Sequence, residues 1–415
     1  MAYQDGPLRD IAWNDIFPGL LLLRVFRLAC DPRKILFAAL ALLLTFYGWR
    51  GIGMLFPGDT TAERLLNTQD AVSLDEGDTP IWLIVNPVLT PWEHLSRPFR
   101  SLFASGLSWS SLAAAALCAF WVAIVWSLFG AVITRIAAVE LAREERLSIA
   151  GAISHARRKG VSYLSAALLP LLGVMLAAAL FTVVPGVILR SGDFGLLFFG
   201  ASFPLVLLVA GVPSAILLFG LAAGWPLMWA AISVEASDAF DAISRGFAYT
   251  FQRPLHYALY VLMAGLIGMF AWAAVVFLVL LMVHVTVWGL SWGSGHDRIA
   301  EVLVWSQQGV EWPLVTSLAE RSKPEALGAA GNLGLSFVAL TMGFVKLLML
   351  GFAYSYFWTT ATAIYLLLRR SNDATELDNV YLEDPPEVAP LPTLRSDESG
   401  VPVLADDGVG TTIME

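Results

Sequence analysis

The chain has 415 residues, of which 57% are hydrophobic and only 14% charged, with a mean hydropathy of +0.69. Soluble domains carry about 25% charged residues, so this composition excludes an ordinary soluble domain and places the chain among integral membrane proteins. The net charge of -9 is local: from residue 371 onward 11 acids stand against Arg395 alone, which leaves the rest of the chain near +1.

Residues 1–19 hold Asp5, Asp10 and Asp15, and no small-residue cleavage site follows a short apolar core, so a signal peptide is not expected. Residues 16–30 are short and apolar but carry Arg24 and Arg27, the pattern of an amphipathic helix lying in the membrane interface. Asp31 followed by Pro32 reads as an N-cap and first helical residue. A spanning helix needs about 20 apolar residues, and six runs qualify, at 35–56, 110–137, 163–189, 200–233, 258–283 and 340–368. The stretch 92–103 and the Trp-rich 290–332 segment (Trp292, Trp305, Trp312) read as interfacial anchors on the outer side. The fourth run is punctuated by Pro204, Pro213 and Pro226. It reads as one broken span, with two spans turning at Gly211–Pro213 as the alternative.

Basic residues cluster in the N-terminal segment (Arg9, Arg24, Arg27, Arg33, Lys34), in the 138–162 connection and at Arg369-Arg370. The positive-inside rule puts both termini, the 138–162 loop and the 234–256 loop in the cytoplasm, in a bacterial inner membrane. The expected organisation is an N-terminal segment over 1–34, a six-span domain over 35–370, and an acidic, disordered cytoplasmic tail over 371–415.

Two connections resemble one another. Glu145–Arg157 reads ERLSIAGAISHAR and Glu235–Phe247 reads EASDAFDAISRGF, so an offset of 90 residues aligns a Glu and an Ala-Ile-Ser triplet. This suggests two helix–elbow–helix units, about 110–189 and 200–290, in parallel duplication. In the second, Ala239, Phe240, Ile243, Phe247 and Phe251 form an apolar stripe on a helix, and Arg245 and Arg253 lie off it, placed to meet lipid phosphates. In the first, Arg157, Arg158 and Lys159 adjoin the membrane as further candidate headgroup contacts, although the orientation rule alone also places cations there.

Glu235 and Asp241-Ala242-Ile243-Ser244-Arg245-Gly246-Phe247 resemble the loop signature of bacterial membrane domains of the glycerophosphodiester-phosphodiesterase membrane-domain type and related polytopic inner-membrane families. Ser244 stands where that pattern has a basic residue and Gly246 where it has Ser. The resemblance implies a helical membrane domain. No phosphodiesterase domain is attached, so it implies no enzyme activity.

Other motifs carry less. Gly289-Leu290-Ser291-Trp292-Gly293 matches G-x-S-x-G with His296 nearby, but a nucleophile elbow needs a strand before it, and here the match ends an apolar run. His284 and Lys346 are the ionisable groups of the late runs, candidate cavity residues or, on their distance from the inner boundary, outer anchors. Cys30 and Cys118 fall at different depths, and no Cys-x-x-Cys, phosphate-loop, dinucleotide or zincin motif occurs. No catalytic, cofactor or metal residue is expected, and no nucleic-acid partner. The expected fold is all-α, an integral membrane protein with interfacial elbow helices. The leading functional expectation is a non-enzymatic scaffold or assembly protein, with membrane lipids as partners and a protein partner on the acidic tail. The competing one is a transporter or lipid-handling permease with a cavity between the two units. Facing polar groups inside the bundle would favour transport, and a dry Leu/Ala/Phe core the scaffold.

Overall fold

The computed structural model describes residues 18–56, 86–104, 106–178, 183–295, 298–299, 302–303, 328–382, 394–396 and 402–404. It is an all-α membrane protein with six helices long and apolar enough to span a bilayer. A short amphipathic helix, α1 (Leu21–Ala29), precedes α2 (Pro32–Leu55), the first span. Asp31 caps α2, accepting from the Arg33 N–H at 2.9 Å, with Pro32 at the first position where its missing N–H costs nothing. A 13-residue helix, α3 (Leu89–Ser101), is followed by the second span, α4 (Trp109–Arg143), and the third, α5 (Ile149–Ala178), with a short α6 (Val184–Ile188) after it.

The fourth run is one broken span. Helix α7 (Gly192–Val206) passes through a π-helical turn at Leu207–Gly211 into α8 (Val212–Glu235). Pro213 cannot donate an N–H, and its ring crowds the preceding turn. Widening that turn to i→i+5 spacing, as in the Val212 N–H to Leu207 carbonyl bond, keeps the helix continuous. The elbow helix α9 (Ala239–Gln252) then meets α10 (Pro254–Ser294), and α11 (Ala329–Asp373) is the last span. The compact body ends at Val380, and residues from Tyr381 form a separate unit. Within that unit Leu394–Ser396 (β1) pairs antiparallel with Pro402–Leu404 (β2), where the sequence led us to expect disorder; the rest of 383–415 lies outside the described residues.

The two elbows share their caps and differ beyond them. Glu144 and Ala236 both end their helices in the left-handed region, at φ 61° and 52°. Ser148 and Asp238, 90 residues apart, then cap α5 and α9, accepting from the N–H of Gly151 at 3.1 Å and of Asp241 at 2.9 Å. The second elbow is a separate helix because Pro254 breaks the chain, with Arg253 at φ −130°. The first has no proline before Pro170, so it runs without interruption into the third span. The separate first elbow helix expected from sequence is thus the opening turns of α5.

The core lies at one end of the bundle, where α4, α8 and α11 converge. Residues from Gly130 to Leu141, 226–234 and 351–369 are buried without a break, while α10 is buried only between Ala264 and Val276. Trp229 of α8 stacks on Trp358 of α11 at 4.8 Å and 8°, and Trp126 of α4 lies 6.1 Å from Trp358. Gly130 makes room for this stack, since a Cβ there would fall 3.0 Å from Trp229 and 3.2 Å from Trp358.

Two carboxylates clamp this end. Glu140, near the end of α4, takes Lys34 at 2.9 Å and Arg33 at 2.6 Å from the start of α2. Arg33 also donates to the Leu147 carbonyl at 2.7 Å and binds Asp31. Burial raises the Asp31 carboxyl, but the hydrogen bonds and charge of Arg33 outweigh it and hold the group below the ordinary carboxylate range. Glu235, ending α8, takes Arg245 of α9 at 3.0 Å and Arg369 of α11 at 2.9 Å, and accepts the Tyr365 hydroxyl at 2.8 Å. The Lys34 side chain is fully buried and that of Glu140 7% exposed. Removing one partner of such a pair leaves a buried charge, so Glu140→Gln should cost about 3–5 kcal/mol. A Lys34→Met, Glu140→Leu double variant should recover much of that. Thermal unfolding in detergent reads both, and equal loss in the single and double variants would show that the clamp is not the cause.

Candidate functional site

The site follows from a proline. Pro226 has no N–H, so in α8 the carbonyl of Ala222 four residues earlier loses its helical donor. In an apolar medium an unpaired carbonyl is costly. The Trp92 indole N–H of α3 supplies the missing bond at 2.9 Å, and the Tyr257 hydroxyl of α10 donates to the adjacent Ala223 carbonyl at 2.5 Å. The kink in α8 is thereby the docking point for α3.

Helix α3 has an unbroken stripe. Trp92, Leu95, Ser96, Phe99 and Arg100 recur at spacings of three and four, and these five, with Phe103 just beyond the helix, line one partly open cavity of about 140 Å³. The opposite walls include Ala123 and Trp126 of α4, Ala167 and Leu171 of α5, and Leu221 and Trp225 of α8. The cavity therefore lies between the two helix–elbow units, with α3 as its roof, and carbon atoms make up nearly all of its lining. Helix α3 thus turns its apolar face into the bundle, where the sequence suggested an anchor on the membrane surface: Pro91, Leu95 and Pro98 are buried. Arg100 stands at the rim, its side chain 53% exposed, 5.8 Å from the Trp92 ring and 3.6 Å from Glu93.

A second contact fixes the roof. The His94 ring, 5.2 Å from Trp49 of α2, hydrogen-bonds through Nδ1 with the Tyr354 hydroxyl of α11. Burial, with the charge of Arg97 beside it, lowers the imidazole to about 4. The neutral ring is the form this packing holds.

Toward the clamps, below the cavity, α4, α5 and α8 share a buried polar chain. Ser233 donates to Thr134 at 2.6 Å, the Tyr163 hydroxyl lies 2.7 Å from Ser233 and 3.3 Å from His155 Nε2, and Arg135 donates to the Ser233 carbonyl at 2.7 Å. That carbonyl belongs to the last turn of α8 and has no helical donor, which gives Arg135 its structural role. Polar groups therefore do face one another inside the bundle, below an apolar cavity.

The residues singled out from sequence fall elsewhere. His284 is exposed on α10 and Lys346 half-buried on α11, and neither lines the cavity. The reason is packing: the halves of α10 and α11 that hold them bury few side chains. Arg157 and Arg158 are exposed and line a shallow open concavity with Ala150, Ile153 and Ser154; Lys159 is half-exposed. Arg245 is drawn onto Glu235 and Asp241; burial lowers its guanidinium, but Tyr365, Glu235 and Asp241 outweigh that and hold it above the ordinary arginine range, so it is a clamp residue rather than an open phosphate contact. Arg253 is half-exposed at the break before Pro254. Ser291 sits within the last turns of α10, donating to the Trp288 carbonyl at 2.7 Å, which is a helix and not a strand-turn elbow. His296, Trp305 and Trp312 lie outside the described residues. Both cysteines are free, and among the described residues no cluster of His, Cys, Asp or Glu could hold a metal ion.

Trp92, His94 and Pro226 were missed as site residues by sequence reasoning. The available signal was the proline inside a strongly apolar span, which requires a donor from some other element. No protein-family model, curated protein or solved structure matches the chain.

The docking geometry sets two expectations. Trp92→Phe strands the Ala222 carbonyl and should cost about 1–3 kcal/mol, whereas in a Pro226→Ala background, where the helix supplies its own donor, the same change should cost much less; thermal unfolding of the four proteins measures this coupling. For His94 the folded pKa of about 4 lies below the ordinary 6.5, so its contribution is complete above about pH 6.5 and declines toward pH 4. Stability in that window should fall as the pH is lowered in the native chain and stay flatter in His94→Gln.

Proposed function

We propose that this chain is a non-enzymatic, lipid-handling membrane protein whose cargo site is the cavity under α3. The observation that carries this reading is the position and chemistry of the cavity: it lies between the two helix–elbow units and is walled by carbon. A polar solute entering it would lose its water and gain almost no hydrogen bonds, whereas lipid hydrocarbon is the surrounding solvent of a spanning protein. The scaffold reading is second. In its favour stand the tightly packed tryptophan stack and the acidic tail, a candidate partner segment.

The same reading places the clamp end in the cytoplasm. The basic residues Arg143, Arg146, Arg157, Arg158 and Lys159 lie on that side of the second and third spans, with Arg369 and Arg370 on the same side of the last, as the positive-inside rule favours in a bacterial inner membrane. The shared left-handed caps and the N-caps 90 residues apart support descent of the two units from a parallel duplication. The resemblance to the phosphodiesterase membrane-domain type is consistent with a helical domain of this kind and adds no substrate.

The chain purified in mild detergent should retain phospholipid in native mass spectrometry. Ala167→Trp, which fills the cavity from α5, should abolish the retained mass while leaving the monodisperse elution and unfolding temperature near those of the native chain. Retention in that variant equal to native would remove the cavity as the cargo site. Single cysteines at Ser154, Ser244 and Ser294 in a cysteine-free background test the orientation: an impermeant reagent on intact cells should reach only position 294, and labelling at 244 would overturn the topology.

A further inference from the structure

We propose that the cavity is a tail site for a glycerophospholipid, taking one hydrocarbon chain at a time beneath α3, with the Arg100 guanidinium receiving the phosphate. This rests on the lipid-handling reading and adds the ligand's chemistry and its orientation.

Size decides between one chain and two. The cavity measures about 140 Å³, close to the engineered apolar cavity of about 150 Å³ that stays dry and binds benzene. That is room for a segment of roughly six carbons of a single chain. The rest of the molecule must lie outside, along the open side of the roof. A second chain has no space, so the site grips one tail and leaves the other in the bilayer.

Charge decides which end is where. Of the five residues of α3 that meet the cavity, four are uncharged and Arg100 alone is ionised. Arg100 lies 3.6 Å from the Glu93 carboxylate and donates to the Glu93 carbonyl at 3.4 Å, and both side chains are more than half exposed, so the pair is weak and open to competition. A phosphate offers a guanidinium two parallel charge-assisted bonds, which Glu93 does not form here.

Depth agrees with this assignment. Ala222, where α3 docks, is 13 residues before Glu235, or about 20 Å from the clamp end. With a hydrocarbon thickness of about 30 Å, α3 roofs the cavity inside the leaflet opposite the clamps, within reach of that leaflet's headgroups. Because the Trp92 indole is committed to Ala222, the roof is held at its first turn while its Arg100 end is the open one.

The test uses the full chain in nanodiscs doped with one of two photoreactive probes, a phosphatidylglycerol or a diacylglycerol carrying the same diazirine on one of the first carbons of an acyl chain, with crosslinks mapped by peptide mass spectrometry. Native protein should label on Phe99, Leu171 and Leu221 with both probes. Arg100→Gln should lower phosphatidylglycerol labelling there about fivefold, as for the loss of one partly exposed charge contact, and leave diacylglycerol labelling unchanged. Arg100→Lys should retain most of it. Ala167→Trp, or Leu221→Trp should the first fail to elute as a monodisperse protein, should lower labelling by both probes. Equal labelling of native and Arg100→Gln protein, with the cavity-filled variant still reduced, would overturn the phosphate assignment and leave lipid handling standing. Labelling confined to outward faces such as Leu255 and Phe270, unchanged by filling, would overturn both.

Discussion

The fold depends on three tryptophans meeting in the middle of the bundle. Trp126, Trp229 and Trp358 come from the second, fourth and sixth spans, and their contact is possible because position 130 carries no side chain. In a bilayer there is no hydrophobic force between spans, so shape complementarity has to hold them together. Large flat rings over a glycine supply it. The indole N–H groups of Trp229 and Trp358 are buried without a hydrogen-bond partner, so ring contact rather than hydrogen bonding holds the stack. Trp126 and Trp229 also form walls of the cavity, so the packing that fixes the bundle shapes the site as well.

Satisfying polar groups in an apolar medium explains most of what surrounds that stack. Pro226 leaves a carbonyl that α3 must pair, and this draws an otherwise peripheral helix over the bundle. The end of α8 leaves a carbonyl that Arg135 pairs, and this brings an arginine into the core. Glu140 and Glu235 sit at helix ends and recruit cations from other spans. In each case the cost of an unmet bond or charge selects the neighbour, which gives the bundle specificity that apolar side chains alone do not provide.

Much of the architecture was legible beforehand because its causes are local. Six apolar runs of spanning length and the Asp31 cap with Pro32 depend on residues within a few positions of one another. The continuous α5 was misjudged because the first elbow was read by analogy with the second, although the breaking proline is absent there. The charged residues were the least legible. Glu145 aligns with Glu235 by sequence but is exposed, while Glu140, five residues earlier, takes two cations as Glu235 does. His284 and Lys346 drew attention because they are ionisable within apolar runs, yet the cavity formed where ionisable residues are few.

By itself the sequence determined that this chain has six apolar helical runs long enough to span a membrane, that the first helix starts at Pro32, and that its acidity resides beyond residue 370. Hydropathy over about 20 residues, capping and proline chemistry suffice for that. Only the tertiary structure decided which carboxylate is clamped, which arginine is committed inside and which stands exposed at a rim, and that Trp92 closes α3 over a cavity between the two units. Those outcomes depend on residues such as Trp92 and Ala222, 130 positions apart in the chain, and local sequence holds no term for the distance between them.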